Sequence, residues 1–285
     1  MLAGEPYVRR MTRPALILVL ALCGCSQPDP TGVRIIGHGG MGNDATFPMN
    51  SREALLGGLA LGIDGVEFDV QLTADTVLVA YHDQDLSTLT VCTGLINSKI
   101  WAELANCPNT AGGDIPYPIV RLDSVLIQAA LDYPFTDFTL DCKLFAAGDW
   151  WSYLHAFTSA VINLNEEPAL HGRFVVECQV DDFLGLMRNE QPGIPLFLYA
   201  TDLPGDVDRA FRLGCAGITM NNAKISEAEV QHAHKAGLQV ALFGVGSSWG
   251  HNDALAKRPD RLQTDAPEEL LRDPVPVRGR DESPE

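Results

Sequence analysis

Glu67 and Asp69 stand two residues apart in the run Gly65-Val66-Glu67-Phe68-Asp69-Val70. In a strand, side chains alternate between faces, so both carboxylates project to one side and Phe68 to the other. Two like charges so placed repel each other, and burying them needs a neutralising partner; a hard divalent cation with oxygen ligands fits that need. Asp141 and Lys143 repeat the spacing around Cys142 and add one carboxylate and one cation to a common face. His38 and His82 each follow an apolar run, residues 33–37 and 77–81, where a strand delivers a side chain to its rim. Imidazole titrates nearest neutrality and suits proton transfer. Spacing alone leaves open a plainer reading, a solvated Glu/Asp pair and a surface histidine.

These residues need strands to carry them. Apolar runs of strand length fall at 33–37, 65–70, 77–81, 138–142, 174–177, 196–199, 217–220, 239–244 and 261–263. Helical patterns fall between them at 51–61, 122–131, 150–164, 183–189, 205–213, 226–236 and 268–271, and Ser51 and Ser226 are natural N-caps. Alternation of this kind predicts an α/β fold with a parallel sheet closed into a (β/α)8 TIM barrel. Nine runs are one too many. Only a four-residue turn, Thr73-Ala74-Asp75-Thr76, precedes the run 77–81, which permits a hairpin and no parallel crossover, so that run is the extra hairpin strand. Residues 84–118 form a short irregular insertion. In such a barrel the chemistry sits at the C-terminal ends of the strands, where His38, Glu67, Asp69, Asp141 and Lys143 all fall.

The motifs Glu67-Phe68-Asp69-Val70, Leu72-Thr73-Ala74-Asp75 and Val79-Ala80-Tyr81-His82-Asp83 resemble, in order and spacing, the central signature of the glycerophosphodiester phosphodiesterase family, a phosphatidylinositol-phosphodiesterase-like TIM-barrel group. The resemblance runs from about residue 34 to 267, in pattern more than in residues over the later half. It implies metal-dependent hydrolysis of a small-molecule glycerophosphodiester to an alcohol and glycerol 3-phosphate. It assigns Glu67, Asp69 and Asp141 to one divalent ion, Ca2+ or Mg2+, with Asp141 standing where the family usually has Glu. It makes His38 and His82 the acid/base pair and brings Lys143 to the substrate phosphate. Two departures lie on the substrate side: Gly39 follows the first histidine where Arg is common, and Pro48-Met49-Asn50-Ser51 replaces a Pro-Glu-Asn segment. Asn50 remains a candidate substrate contact, and restoring Arg at position 39 is expected to help where the pocket has room. Thr264-Asp265-Ala266-Pro267 resembles the family's closing segment and is expected to be structural. A D-type phospholipase of the same barrel group, which shares Asp-x-Lys on the third metal strand, is a competing enzymatic reading. A catalytically silent, lipid-anchored binding protein is the non-enzymatic one, and retention of both histidines and all three acids argues against it.

Other residues carry less. Glu177 ends a strand and is a candidate for the pocket lining; Phe243 and Trp249 flank the rim. His155, His171, His232, His234 and His251 fall in helical or loop context and are expected at the surface.

Composition narrows the partners. The chain has 285 residues, 20 basic and 37 acidic, for a net charge of -17. No basic footprint exists for nucleic acid. Arg9, Arg10 and Arg13 precede an apolar run at 15–22 that ends in Leu22-Cys23-Gly24-Cys25, a charged start and short apolar core of the kind that directs export. The ending resembles a bacterial lipobox, which makes residues 1–24 a signal peptide, with Met11 as an alternative start, and Cys25 the lipid-bearing mature terminus. The expected organisation is a tether at 25–32, one catalytic domain at 33–277 and a polar tail at 278–285. The expected location is the membrane, on the periplasmic face of the outer membrane. Among the remaining cysteines, Cys92 and Cys107 both lie in the insertion and could pair in an oxidising compartment. Cys142, Cys178 and Cys215 lie in or beside strands as small buried hydrophobes.

Overall fold

The computed structural model describes residue 1 and residues 32–43, 46–110 and 116–272. The expected signal segment, the lipidation site at Cys25, the tether up to residue 31 and the polar tail lie outside them.

Three of the strands share the carboxylate-bearing wall: β1 (Arg34–Gly37), β2 (Gly65–Leu72) and β5 (Asp137–Cys142). Continuing round are β6 (Phe174–Cys178), β7 (Leu196–Tyr199), β8 (Gly217–Asn221), β9 (Gln239–Val245) and β10 (Arg261–Thr264). Each pairs in parallel with the next, and β1 pairs with both β2 and β10, so these eight strands close into a barrel. Between β2 and β5 lie β3 (Leu78–Ala80), antiparallel to β2, and β4 (Val120–Arg121), antiparallel to β3. The hairpin strand is therefore as expected, whereas β4, at two residues, is too short to leave a pattern.

Helices cover the outside: α1 (Arg52–Ala60), α3 (Leu122–Asp132), α4 (Trp150–Asn165), α5 (Asp181–Glu190), α6 (Gly205–Leu213), α7 (Glu227–Lys235), α8 (Ser248–Ala256) and α9 (Pro267–Arg272), with the short α2 (Trp101–Leu104) in the insertion. Ser51, Ser226 and Ser247 accept backbone N–H groups as N-caps of α1, α7 and α8. Helix α8 has no counterpart in the sequence pattern, because Gly250, Asn252 and Asp253 weaken its propensity; the Ser247 cap and packing of Ala254 hold it. Among the described residues, no helix is long and apolar enough to cross a membrane.

Period-two alternation divides each strand between two environments. Val66, Phe68 and Val70 of β2 and Phe138 and Leu140 of β5 join the core between strands and helices. The alternate residues fill the barrel: Val175, Phe197 and Ala241 pack together inside it. A Cβ at Gly217 would stand 2.6 Å from the Phe197 ring, so that position needs glycine for the ring to cross the interior. Arg261 closes the floor, donating to Asp137 Oδ2 at 2.9 Å and Thr139 Oγ1 at 3.1 Å.

The insertion shares a small core with the residues that flank it, Val79, Tyr81 and Ile119 packing with Leu86, Ile96, Leu104 and Cys107, and Cys92 and Cys107 form a disulfide within the insertion. It packs on the hairpin beside His82. Gln71 Nε2 donates to the carbonyls of Tyr81 and Asp83, at 2.9 and 2.8 Å, and so fixes the backbone on both sides of that histidine.

Candidate active site

Glu67 and Asp69 leave the inner face of β2 beside Asp141 of β5; Asp69 and Asp141 are directly paired in the ladder. One carboxylate oxygen from each of the three lies within 4.8 Å of the others. Glu67 and Asp69 are buried, so their charges are little screened by water. Burial and the Asp69 charge push the Glu67 carboxyl well above its ordinary range, against the pull of His38. Burial likewise raises Asp141, against the opposing pull of Lys143.

Each oxygen of the cluster has a distinct situation. Glu67 Oε2 accepts the Gly39 N–H at 2.8 Å, while Glu67 Oε1 is buried with no hydrogen-bond partner. Asp69 Oδ2 accepts from Asn50 Nδ2 at 2.7 Å, and the Asp69 N–H donates to Asn50 Oδ1 at 3.0 Å. Asn50, buried and at a φ of 65°, thus turns both polar atoms of its amide on Asp69 and orients that carboxylate. Lys143 Nζ stands 2.6 Å from Asp141 Oδ2 and 3.2 Å from Asp69 Oδ1. Burial disfavours that ammonium, but the charges of Asp141, Asp69 and Glu67 outweigh burial and hold it firmly protonated. A buried, unpartnered carboxylate oxygen among three converging acids is what an oxygen-coordinated cation would satisfy; the donor set is all oxygen and suits Ca2+ or Mg2+. The residues present therefore fit a divalent ion.

His38 leaves the end of β1 beside this cluster. Its Nδ1 is 2.6 Å from Asp265 Oδ1 and its Nε2 is 3.9 Å from Glu67 Oε2. Burial lowers the proton affinity of the ring, but the Asp265 hydrogen bond and the charges of Glu67, Asp265 and Asp69 prevail and lift it to about 9. Phe243 packs against it, ring centroids 6.4 Å apart, and Tyr199 stands 5.4 Å from Phe243, so Phe243 flanks the rim beside His38. Trp249 behaves differently: it is 78% exposed in the first turn of α8.

His82 lies one residue beyond Tyr81, whose N–H donates to the Asp69 carbonyl. Its side chain is exposed and Nδ1 is 2.8 Å from Asp83 Oδ1. Among the described residues no hydrogen bond or ion pair joins His82 to Glu67, Asp69 or Asp141, so the structure gathers His38, Glu67, Asp69, Asp141, Lys143 and Asn50 and leaves the His82 side chain exposed.

Asp265, in the segment expected to be structural, holds Nδ1 of His38. Its signal was available: it is a carboxylate directly after the last strand, at the same rim as the others. Thr264, beside it, is hydrogen bonded with His251 Nε2 at 2.7 Å. His251 is therefore buried, not at the surface as expected, because α8 turns it inward against β10; burial lowers its proton affinity. Glu177 lies inside the barrel, accepting from Thr219 and Gln263 at 2.7 Å each, with its carboxyl raised to about 7 by burial and by Asp141. Its contacts are those of the barrel interior.

The two departures on the substrate side meet in space. A Cβ at Gly39, where φ is 55°, would stand 2.5 Å from Met49 Cε and 2.6 Å from Met49 Cβ. Met49 fills the space beside Gly39, so the room on which a restored Arg depends is taken up.

The family model for the glycerophosphoryl diester phosphodiesterase family matches residues 38–268. The Bacillus subtilis (strain 168) protein YqiK is 31% identical over 104 residues, which are 36% of this chain and 42% of that protein, so the match spans less than half of that relative. Solved structures share the fold, and two of them illustrate it. The putative glycerophosphoryl diester phosphodiesterase of Silicibacter pomeroyi DSS-3 has a TM-score of 0.76 and 22% identity, over 85% of this chain and 93% of that one. An Oleispira antarctica phosphodiesterase in complex with the product sn-glycerol-3-phosphate has a TM-score of 0.72 and 20% identity, over 84% of this chain and 95% of that one.

Proposed function

The chain belongs to the glycerophosphoryl diester phosphodiesterase family, and we propose that it hydrolyses glycerophosphodiesters to an alcohol and sn-glycerol 3-phosphate with one divalent metal ion, Ca2+ or Mg2+. The observation that carries the reading is the convergence of Glu67, Asp69 and Asp141 within 4.8 Å at the barrel mouth, beside the His38 ring. Glu67, Asp69 and Asp141 would hold the ion, which when bound supplies Lewis-acid stabilisation of the charge that builds on phosphoryl oxygen.

The protein's own groups divide the proton work. Asp265 occupies Nδ1 of His38, which leaves Nε2 for the substrate side. A ring that keeps its proton to about pH 9 is suited to donate it to the departing alkoxide. Asp83 similarly engages Nδ1 of His82, and the exposed His82 takes the complementary role of removing a proton from the nucleophile. Lys143 supplies positive charge for the substrate phosphate, since Gly39 offers none. Phe243 and Tyr199 line one wall against water.

Turnover of a panel of glycerophosphodiesters by the purified protein, with metal added and after exhaustive chelation, tests the reading. Metal-dependent release of glycerol 3-phosphate is the expected result; no release from any member of the panel would overturn it.

A further inference from the structure

Lys143 occupies the oxygens that a metal would need. Its ammonium sits 2.6 Å from Asp141 Oδ2 and 3.2 Å from Asp69 Oδ1, while Glu67 Oε1 is left unpartnered. Asn50 already holds Asp69 Oδ2, so Asp69 Oδ1 is the oxygen of that residue for which cation and ammonium compete directly. Three carboxylates confined within 4.8 Å would repel one another without a counter-charge, and Lys143 provides one from the same strand end. A side chain on four methylene groups can withdraw from the carboxylates and still reach the barrel mouth; Lys143 is partly exposed there.

Resting on the metal-dependent reading above, we infer that Lys143 is an internal counter-ion for the metal-free site, displaced from Asp69 and Asp141 when a divalent cation binds and thereby released to the substrate phosphate. The same amine cannot neutralise the carboxylates and grip the phosphate at once. Metal loading and phosphate binding are therefore linked: a cation that takes the carboxylates frees Lys143, and a phosphate that takes Lys143 vacates the carboxylates. Linkage is reciprocal, so each ligand raises affinity for the other by the same factor. Lys143 then acts as a latch that keeps the site assembled without metal and makes substrate recognition wait for it.

Calcium binding to the metal-free protein, measured by titration calorimetry without substrate, tests the latch apart from activity. Lys143→Met removes the competitor and should bind Ca2+ about fivefold tighter or more, the lower end of usual coupling between sites. Added sn-glycerol 3-phosphate should tighten Ca2+ binding to the wild type by a larger factor than to Lys143→Met, where only direct contact between phosphate and ion remains. A measurement on the wild type alone guards against misfolding of the variant: reductive methylation of Lys143, followed by mass spectrometry, should accelerate when Ca2+ saturates the protein, with Lys224 and Lys235 as exposed controls. Equal Ca2+ affinity in the two proteins, or methylation indifferent to Ca2+, overturns the latch and leaves metal dependence standing. Failure of both proteins to bind Ca2+ or Mg2+ overturns latch and metal-dependent reading together.

Discussion

His38 and Asp265 are 227 positions apart in sequence and are joined by a contact of 2.6 Å between Nδ1 and Oδ1. The pairing of β1 with β10 creates it, since His38 follows the last residue of β1 and Asp265 the last of β10. Asp265→Asn should lower the pH at which His38 titrates from about 9 toward its ordinary 6.5, followed by imidazole NMR of the metal-free protein. The sign for stability follows. A ring whose proton affinity is raised by folding stabilises fully below about 6.5, and that contribution is lost as pH rises through about 9. The melting-temperature advantage of wild type over Asp265→Asn should therefore shrink between pH 6 and pH 10; an advantage that grows with pH would refute the pairing's role.

The two histidines should each be needed. His38→Ala and His82→Ala are expected to lower kcat at least about a hundredfold, the lower end for a lost general acid or base. Since His82 is exposed and outside the carboxylate cluster, its substitution should leave the Ca2+ affinity of the protein unchanged. Near-normal turnover in either variant removes that histidine from the reaction.

Glu67→Gln separates charge repulsion from metal binding. Burial already opposes ionisation of this carboxyl, so the neutral amide should raise the melting temperature of the metal-free protein. The same change should abolish the stabilisation that added Ca2+ gives the wild type, about 2.7 kcal/mol at a hundredfold excess over Kd. Retained Ca2+ stabilisation would show that Glu67 is not a ligand.

Position 39 should tolerate little. Gly39→Ala places a Cβ against Met49 in a left-handed backbone and is expected to destabilise by about 1–3 kcal/mol, read from denaturant midpoints. Gly39→Arg should lower kcat/KM or prevent folding, and should not strengthen phosphate binding. A Gly39→Arg variant with wild-type stability would mean that Met49 yields more readily than its packing implies.

Cys25→Ser tests the anchor that we propose from the lipobox-like ending. The protein is expected to move from the membrane fraction to the soluble one; identical fractionation of variant and wild type would remove lipidation at Cys25 from the account.

Strand alternation made the carboxylates legible, because it depends only on neighbours in the chain: Glu67, Asp69, Asp141 and Lys143 lie where period-two geometry sends them. Turn length likewise revealed the hairpin of β2 and β3. What stayed hidden depends on tertiary closure. The Asp265 contact needs the barrel complete, the burial of His251 needs α8 to form despite weak propensity, and the double grip of Asn50 on Asp69 needs a left-handed residue before α1. Lys143 was legible as a cation on the right face. Its engagement by Asp69 as well as Asp141 was not, since that depends on the pairing of β2 with β5.

Closure of the barrel between its first and last strands also sets an order in time. A chain emerging from a ribosome delivers Glu67, Asp69, Asp141 and Lys143 long before residues 261–265. Such a fragment would carry the whole carboxylate cluster with a His38 that lacks Asp265. The partner of His38 Nδ1 arrives only with the final strand, so a truncation before residue 261 would leave the cluster residues in the chain while removing both that partner and the strand that closes the barrel against β1.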